Sequence, residues 1–160
     1  MTNKLALIFA TFFGAGLSPK APGTVGSLAT LPLAFIMAYF FGRTGILYAA
    51  VISFFIGAWA TNQLTKNSEE KDPSKVVIDE TAGQLMSFAL VANYLQNNLS
   101  VKALVIYVLG FGLFRFFDII KMGPVKWADT KIKNYWGVML DDVFAGLFAT
   151  IILMLITSRI

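Results

Sequence analysis

Five apolar runs punctuate the chain, at 28–41, 44–61, 82–95, 101–117 and 143–157. Runs of this length and uniform apolarity read as helices surrounded by lipid, where every backbone polar group must find its partner inside the protein. The first two are parted only by Gly42-Arg43, which predicts a tight helical hairpin. A hydrocarbon core of about 30 Å takes roughly 20 residues of helix. The run 44–61 comes close to that length, whereas 28–41 reaches it only by extending back through Val25, and Pro32 predicts a kink within it. The third run ends at the polar turn Gln96-Asn97-Asn98. Residues 1–13 predict a short or interfacial helix of the mature protein; one Lys makes the segment too weakly basic for a signal peptide. The expectation is an all-α, helical integral membrane protein with four to five membrane-embedded helices, forming one domain over 1–160, with its motif-bearing loops on the cytoplasmic face.

Composition agrees with that class and narrows the chemistry. Apolar residues make up 57% of the chain and charged residues 14%, where soluble domains carry about 25% charged residues. The chain has no Cys and no His. Thiolate nucleophiles, imidazole bases, phosphohistidine and ordinary zinc sites are therefore excluded. Any bound metal must take oxygen ligands, which favours Mg²⁺, Ca²⁺ or Mn²⁺.

The net charge of +4 matters less than its distribution. If all five runs span, the segments 14–27, 62–81 and 115–142 share one side of the membrane. That side holds Lys20, Lys66, Lys71, Lys75, Arg115, Lys121, Lys126, Lys131 and Lys133, against Arg43, Lys102 and Arg159 opposite. The positive-inside rule makes the rich side cytoplasmic. All nine carboxylates fall on it as well. No nucleic-acid partner is expected; the partner this arrangement suits is membrane lipid.

Two acidic pairs stand out. Asp79-Glu80 opens the third apolar run, and Asp141-Asp142 abuts the fifth. Helix capping accounts for a single acid at such a position, but paired acids beside lipid are costly without a cation. Gly83 lies one helical turn after Asp79, where it permits close approach of a backbone or ligand. Asp118 follows Arg115 by three residues, the spacing of an intrahelical ion pair, and Asp129 reads as an N-cap. Around these acids gather Lys20, Arg115, Lys121 and Lys126, so that metal-ligating carboxylates and phosphate-binding cations share one membrane face. The loop SPKAPGTVGS offers Thr24, Ser27 and close-approach glycines as an anion cradle at a helix start, without the ending of a P-loop. Glu69, Glu70 and Asp72, alternating with Lys66, Lys71 and Lys75, read as a solvated loop.

Three blocks, GAGLSPKAPGTVGSLATLP at 14–32, VVIDETAG at 76–83 and the stretch 114–146 ending in MLDDVFAG, resemble the bacterial phosphatidylglycerophosphatase A family in order and separation. The resemblance covers essentially the whole chain. It implies a Mg²⁺-dependent, multi-pass inner-membrane enzyme that removes the terminal phosphate of phosphatidylglycerophosphate in phospholipid biosynthesis. Asp79, Glu80, Asp141, Asp142, Arg115 and Asp118 fall on the family's motif positions. The family's usual Lys-Pro-Trp-Pro element is Lys121-Met122-Gly123-Pro124 here, and Tyr135-Trp136 stand near a usual Gly-Gly pair. The expected mechanism has one or two Mg²⁺ held by Asp79, Glu80, Asp141 and Asp142, with Asp118 as a further ligand or base. Lys20, Arg115, Lys121 and Lys126 would neutralise phosphate charge. The competing readings are a small cation transporter using the clustered carboxylates and a structural subunit whose acids only cap helices.

Overall fold

The computed structural model describes residues 4–67 and 73–159. Glu69, Glu70, Lys71 and Asp72, of the charged run read as a solvated loop, lie outside the described residues. Among the described residues seven α-helices follow in order: α1 (Lys4–Ala10), α2 (Pro22–Thr65), α3 (Ile78–Met86), α4 (Ala92–Leu95), α5 (Val101–Ile120), α6 (Pro124–Lys131) and α7 (Tyr135–Thr157). Among the described residues there is no strand. Of these helices, α2, α5 and α7 are long and apolar enough to cross a membrane, with mean hydropathies of 1.7, 2.0 and 2.1.

The packing follows the logic of a lipid solvent. Small residues face inward, among them Ala34, Ala38, Ala50, Ala103, Ala145 and Ala149, all nearly inaccessible. Large apolar side chains such as Phe55, Val108 and Leu155 face outward. Lipid rewards exposed bulk as much as buried bulk, so association rests on close backbone approach through small residues.

Helix α2 is two limbs. Gly42 breaks it with φ 57° and ψ −141°, a conformation that glycine alone adopts readily. Gly26 on the first limb packs against Val77, and Gly57 on the second packs against the next residue, Ile78. The limbs therefore run antiparallel, as the Gly42-Arg43 hairpin predicted, and Pro32 is accommodated without a second break.

The third apolar run departs from expectation: 82–95 is not a continuous helix. It forms the end of α3, turns through 87–91 and the short α4. Gln84 Nε2 donates to Ser87 Oγ at 2.9 Å, and Ser87 Oγ donates to the Gln84 carbonyl at 2.6 Å, drawing the chain off the helical path. Irregular backbone survives in an apolar setting only when protein buries and satisfies it. Here the Leu90 N–H donates to Thr150 Oγ1 at 3.0 Å, and the Leu90 carbonyl accepts from Arg43 at 3.2 Å. Phe88, Val91 and Leu95 are fully buried around it.

The fifth run ends at Thr157 as expected, but its start differs. Asn134 caps α7, accepting from the Trp136 N–H at 3.0 Å, so the helix starts well before 143. Asp141 and Asp142 consequently sit two turns inside α7 rather than at its mouth. Asp129 lies near the end of α6, not at its N-cap.

Candidate active site

The first turn of α3 carries Asp79 and Glu80, and the second turn of α7 carries Asp141 and Asp142. What joins them is a glycine crossing. Gly83 follows Asp79 by four residues, and Gly146 follows Asp142 by four, so each glycine shares a helical face with its acid. A Cβ on Gly83 would stand 2.5 Å from the Asp142 carbonyl oxygen, and one on Gly146 would meet the Gly83 carbonyl. The two backbones touch there, and one turn away their carboxylates converge. Asp79, Glu80 and Asp142 each present an oxygen within 4.8 Å of the others. Asp142 is 3% exposed and Asp79 7%. Asp141 is not part of this trio; it turns aside to Lys121.

Helix α5 brings the cations. Arg115 Nη1 lies 2.7 Å from Asp118 Oδ2 and 4.0 Å from Glu80 Oε1, and it donates to Ser27 Oγ at 3.4 Å. Lys121 terminates α5 in the left-handed region, and its ammonium reaches Asp141 Oδ2 at 2.8 Å and Asp129 Oδ1 at 2.6 Å. Burial disfavours the charged form of Lys121, but the hydrogen bonds it donates to Asp129 and Asp141 outweigh it and hold its pKa above the usual lysine range. The ammonium is thus firmly protonated at neutral pH.

One polar cavity of about 260 Å³ is lined by Pro22, Gly23, Ser74 and Val76 together with Asp79, Glu80, Arg115, Asp118, Lys121, Asp141 and Asp142. A Cβ on Gly23, at the start of α2, would meet Glu80 Oε1. The amino end of α2 therefore comes directly against the site, with its free N–H groups and positive dipole end. Five carboxylates against two cations leave the cavity short of positive charge among the described residues.

Of the residues singled out from sequence, Asp79, Glu80, Asp118, Asp141, Asp142, Arg115 and Lys121 meet at this cavity. Ser27 is buried beneath Arg115 and spends its hydroxyl on the Gly23 carbonyl at 2.9 Å. Thr24 is half-buried, and Lys20 and Lys126 are exposed; none of these three is among the lining residues. Sequence reasoning passed over Ser74, within what read as a solvated loop, and the tie from Asp129 to Lys121. No local pattern marked the latter, since the eight-residue separation crosses a helix break.

The pattern of the family described as phosphatidylglycerophosphatase A matches residues 8–157. A Haemophilus influenzae protein of that name is 34% identical over 149 residues, covering 93% of this chain and 86% of that protein. An Escherichia coli protein of the same name is 35% identical over 159 residues, covering 98% and 85%. A Bacteroides thetaiotaomicron protein provisionally named phosphatidylinositol-3-phosphatase is 34% identical over 153 residues, covering 93% and 91%. No solved structure matches the chain. With both acidic pairs, Arg115, Asp118 and Lys121 gathered at one cavity and the match running nearly end to end, the chain belongs to the phosphatidylglycerophosphatase A family.

Proposed function

We propose that the protein hydrolyses the terminal phosphate monoester of phosphatidylglycerophosphate, giving phosphatidylglycerol and inorganic phosphate, at the cytoplasmic side of a bacterial inner membrane. The observation that carries this reading is the approach of Asp79, Glu80 and Asp142 to within 4.8 Å of one another at a cavity that also holds Arg115 and Lys121. Family membership supports the lipid substrate, since two relatives bear that activity as their name. The basic excess of the loops at this end supports the cytoplasmic orientation.

A divalent cation fits the residues present. The donors are all oxygen, and Glu80 Oε2 is buried without a hydrogen-bond partner among the described residues. Asp79, Glu80 and Asp142 would hold Mg²⁺, whose chemistry is to polarise a phosphoryl oxygen and lower the pKa of a water. Asp141, committed to Lys121, orients that ammonium instead. Arg115 and Lys121 meet phosphate oxygens from two sides, and the N–H groups at the start of α2 offer a third contact. Asp118 has Oδ2 on Arg115, which leaves Oδ1 to accept a proton from the attacking water. As the water oxygen bonds to phosphorus, the phosphorus–oxygen bond to glycerol breaks. The glycerol oxygen keeps that electron pair and takes a proton from water at the cavity mouth, and the hydroxide left there is neutralised by the proton that Asp118 gives up, which restores the carboxylate.

The transporter alternative finds no support, because the carboxylates gather at one end of the bundle rather than along a path through it. A different lipid phosphomonoester is favoured by one observation, the Bacteroides relative. The test is phosphate release by purified protein from phosphatidylglycerophosphate and, in parallel, phosphatidylinositol 3-phosphate, each in Mg²⁺ and in EDTA. Release from the first lipid that stops in EDTA is expected. No release in any divalent metal overturns the reading, and preferential release from the second reassigns the substrate.

A further inference from the structure

Asp129 does not border the cavity, yet its side chain engages a residue that does. Lys121 leaves α5 with φ 49° and ψ 67°, a backbone conformation disfavoured for a side chain of its kind, and this sends its stem toward α6 and α7. Its ammonium is then shared, 2.6 Å from Asp129 Oδ1 and 2.8 Å from Asp141 Oδ2. A phosphate entering the cavity meets a cation already claimed twice. The two claimants are unequal. The Asp141 side chain is 8% exposed and fixed within α7, whereas that of Asp129 is 37% exposed on α6. Water solvates a released Asp129 well and a released Asp141 poorly. A dianionic phosphate therefore wins the ammonium at least cost by displacing Asp129.

We propose that Asp129 is a positioning residue that holds Lys121 over the cavity and competes with phosphate for it, setting how tightly phosphate is retained. Its catalytic meaning, keeping product phosphate from lingering, rests on the phosphatase reading above; its physical content concerns phosphate affinity alone. Removing the charge of Asp129 leaves Lys121 to Asp141 and frees part of its charge for phosphate.

The experiment measures binding of inorganic phosphate to the purified full-length protein in Mg²⁺ by calorimetry, alongside kcat and KM for lipid hydrolysis. Asp129→Asn is expected to bind phosphate about three- to five-fold more tightly, the range set by a half-exposed ion pair. KM falls in parallel, and kcat falls as product leaves more slowly. Asp129→Glu restores wild-type behaviour, and in a Lys121→Gln background Asp129→Asn has no further effect. Should the Asn variant fail to fold, Asp129→Ser carries the same expectation. Unchanged or weaker phosphate binding overturns the proposal, as does tightening that persists without Lys121, or a wild-type protein that binds no phosphate. A merely structural tie would lower the melting temperature without tightening phosphate. Failure of the phosphatase reading is seen separately, as lipid hydrolysis absent while the phosphate-binding comparison still holds.

Discussion

Gly83→Ala tests the geometry most severely, because it adds one methyl group and changes no charge. That methyl would stand 2.5 Å from the Asp142 carbonyl oxygen and 2.6 Å from Phe114 Cε2, where ordinary contact begins near 3.4 Å. Neither neighbour is the far end of a flexible chain: one is backbone, the other a fully buried ring. Restoring contact from 2.5 to 3.4 Å requires α3 and α7 to part by about 0.9 Å. Overpacking of this kind costs about 1–3 kcal/mol of stability. The catalytic cost is larger. Asp142 moves with its backbone, and ligand distances at a metal site tolerate only about 0.2 Å. A displacement approaching 1 Å at a reacting centre costs about 100-fold in rate. The assay is phosphate release at saturating lipid, paired with thermal unfolding in detergent. The control is Gly112→Ala on α5, where a new Cβ meets nothing within 4 Å. If Gly83→Ala keeps turnover within about two-fold of wild type while folded, the glycine crossing does not set the spacing of the acids and the argument fails.

Three further outcomes are expected. Asp142→Asn removes the most deeply buried of three closely spaced acids, so in EDTA it raises the melting temperature, while the stabilisation by Mg²⁺ disappears; in wild type that stabilisation reaches about 2.7 kcal/mol at 100 times the dissociation constant. A melting temperature lowered in EDTA would contradict this. Lys121→Met strips the buried Asp141 of its ammonium and costs about 1–3 kcal/mol of stability together with a raised KM, read from unfolding and steady-state kinetics. Thr150→Val leaves the Leu90 N–H without its 3.0 Å acceptor at a largely buried turn, costing about 1–3 kcal/mol, whereas Thr150→Ser restores most of it; equal stability of the two variants would remove the hydroxyl from the account.

What the sequence disclosed and what it hid follow from range. The Gly42 hairpin was legible because a break between two apolar runs is a local signal, and Gly42 adopts the positive φ that such a break needs. The 82–95 run misled because its apolarity reports burial, not helicity. The turns at 87–91 depend on Thr150 and Arg43, which are 60 and 47 residues from Leu90 in the chain. As neighbours on a helix Asp141 and Asp142 point about 100° apart, so one can face the site while the other turns aside, but the sequence does not say which. Only the phase of α7 separates them, one facing Asp79 and Glu80 and the other Lys121. Lys20 and Lys126 join the site by shared membrane side, a criterion that fixes an end of the bundle but not a cavity wall, and Thr24 by its place in a loop at a helix start, which does not fix where its hydroxyl points. The Asp129 contact depends on the positive φ of Lys121, which nothing in a non-glycine residue advertises.

The central claim is that Asp79, Glu80 and Asp142 hold a divalent cation together. The most direct measurement is Mn²⁺ binding followed by electron paramagnetic resonance, comparing wild type with Asp142→Asn and with the exposed-face control Gly112→Ala. The account expects free Mn²⁺ signal to be lost on titration into wild type and the control, competed by Mg²⁺, and retained in Asp142→Asn. Equal binding by Asp142→Asn and wild type, or no binding by any of them, would contradict it.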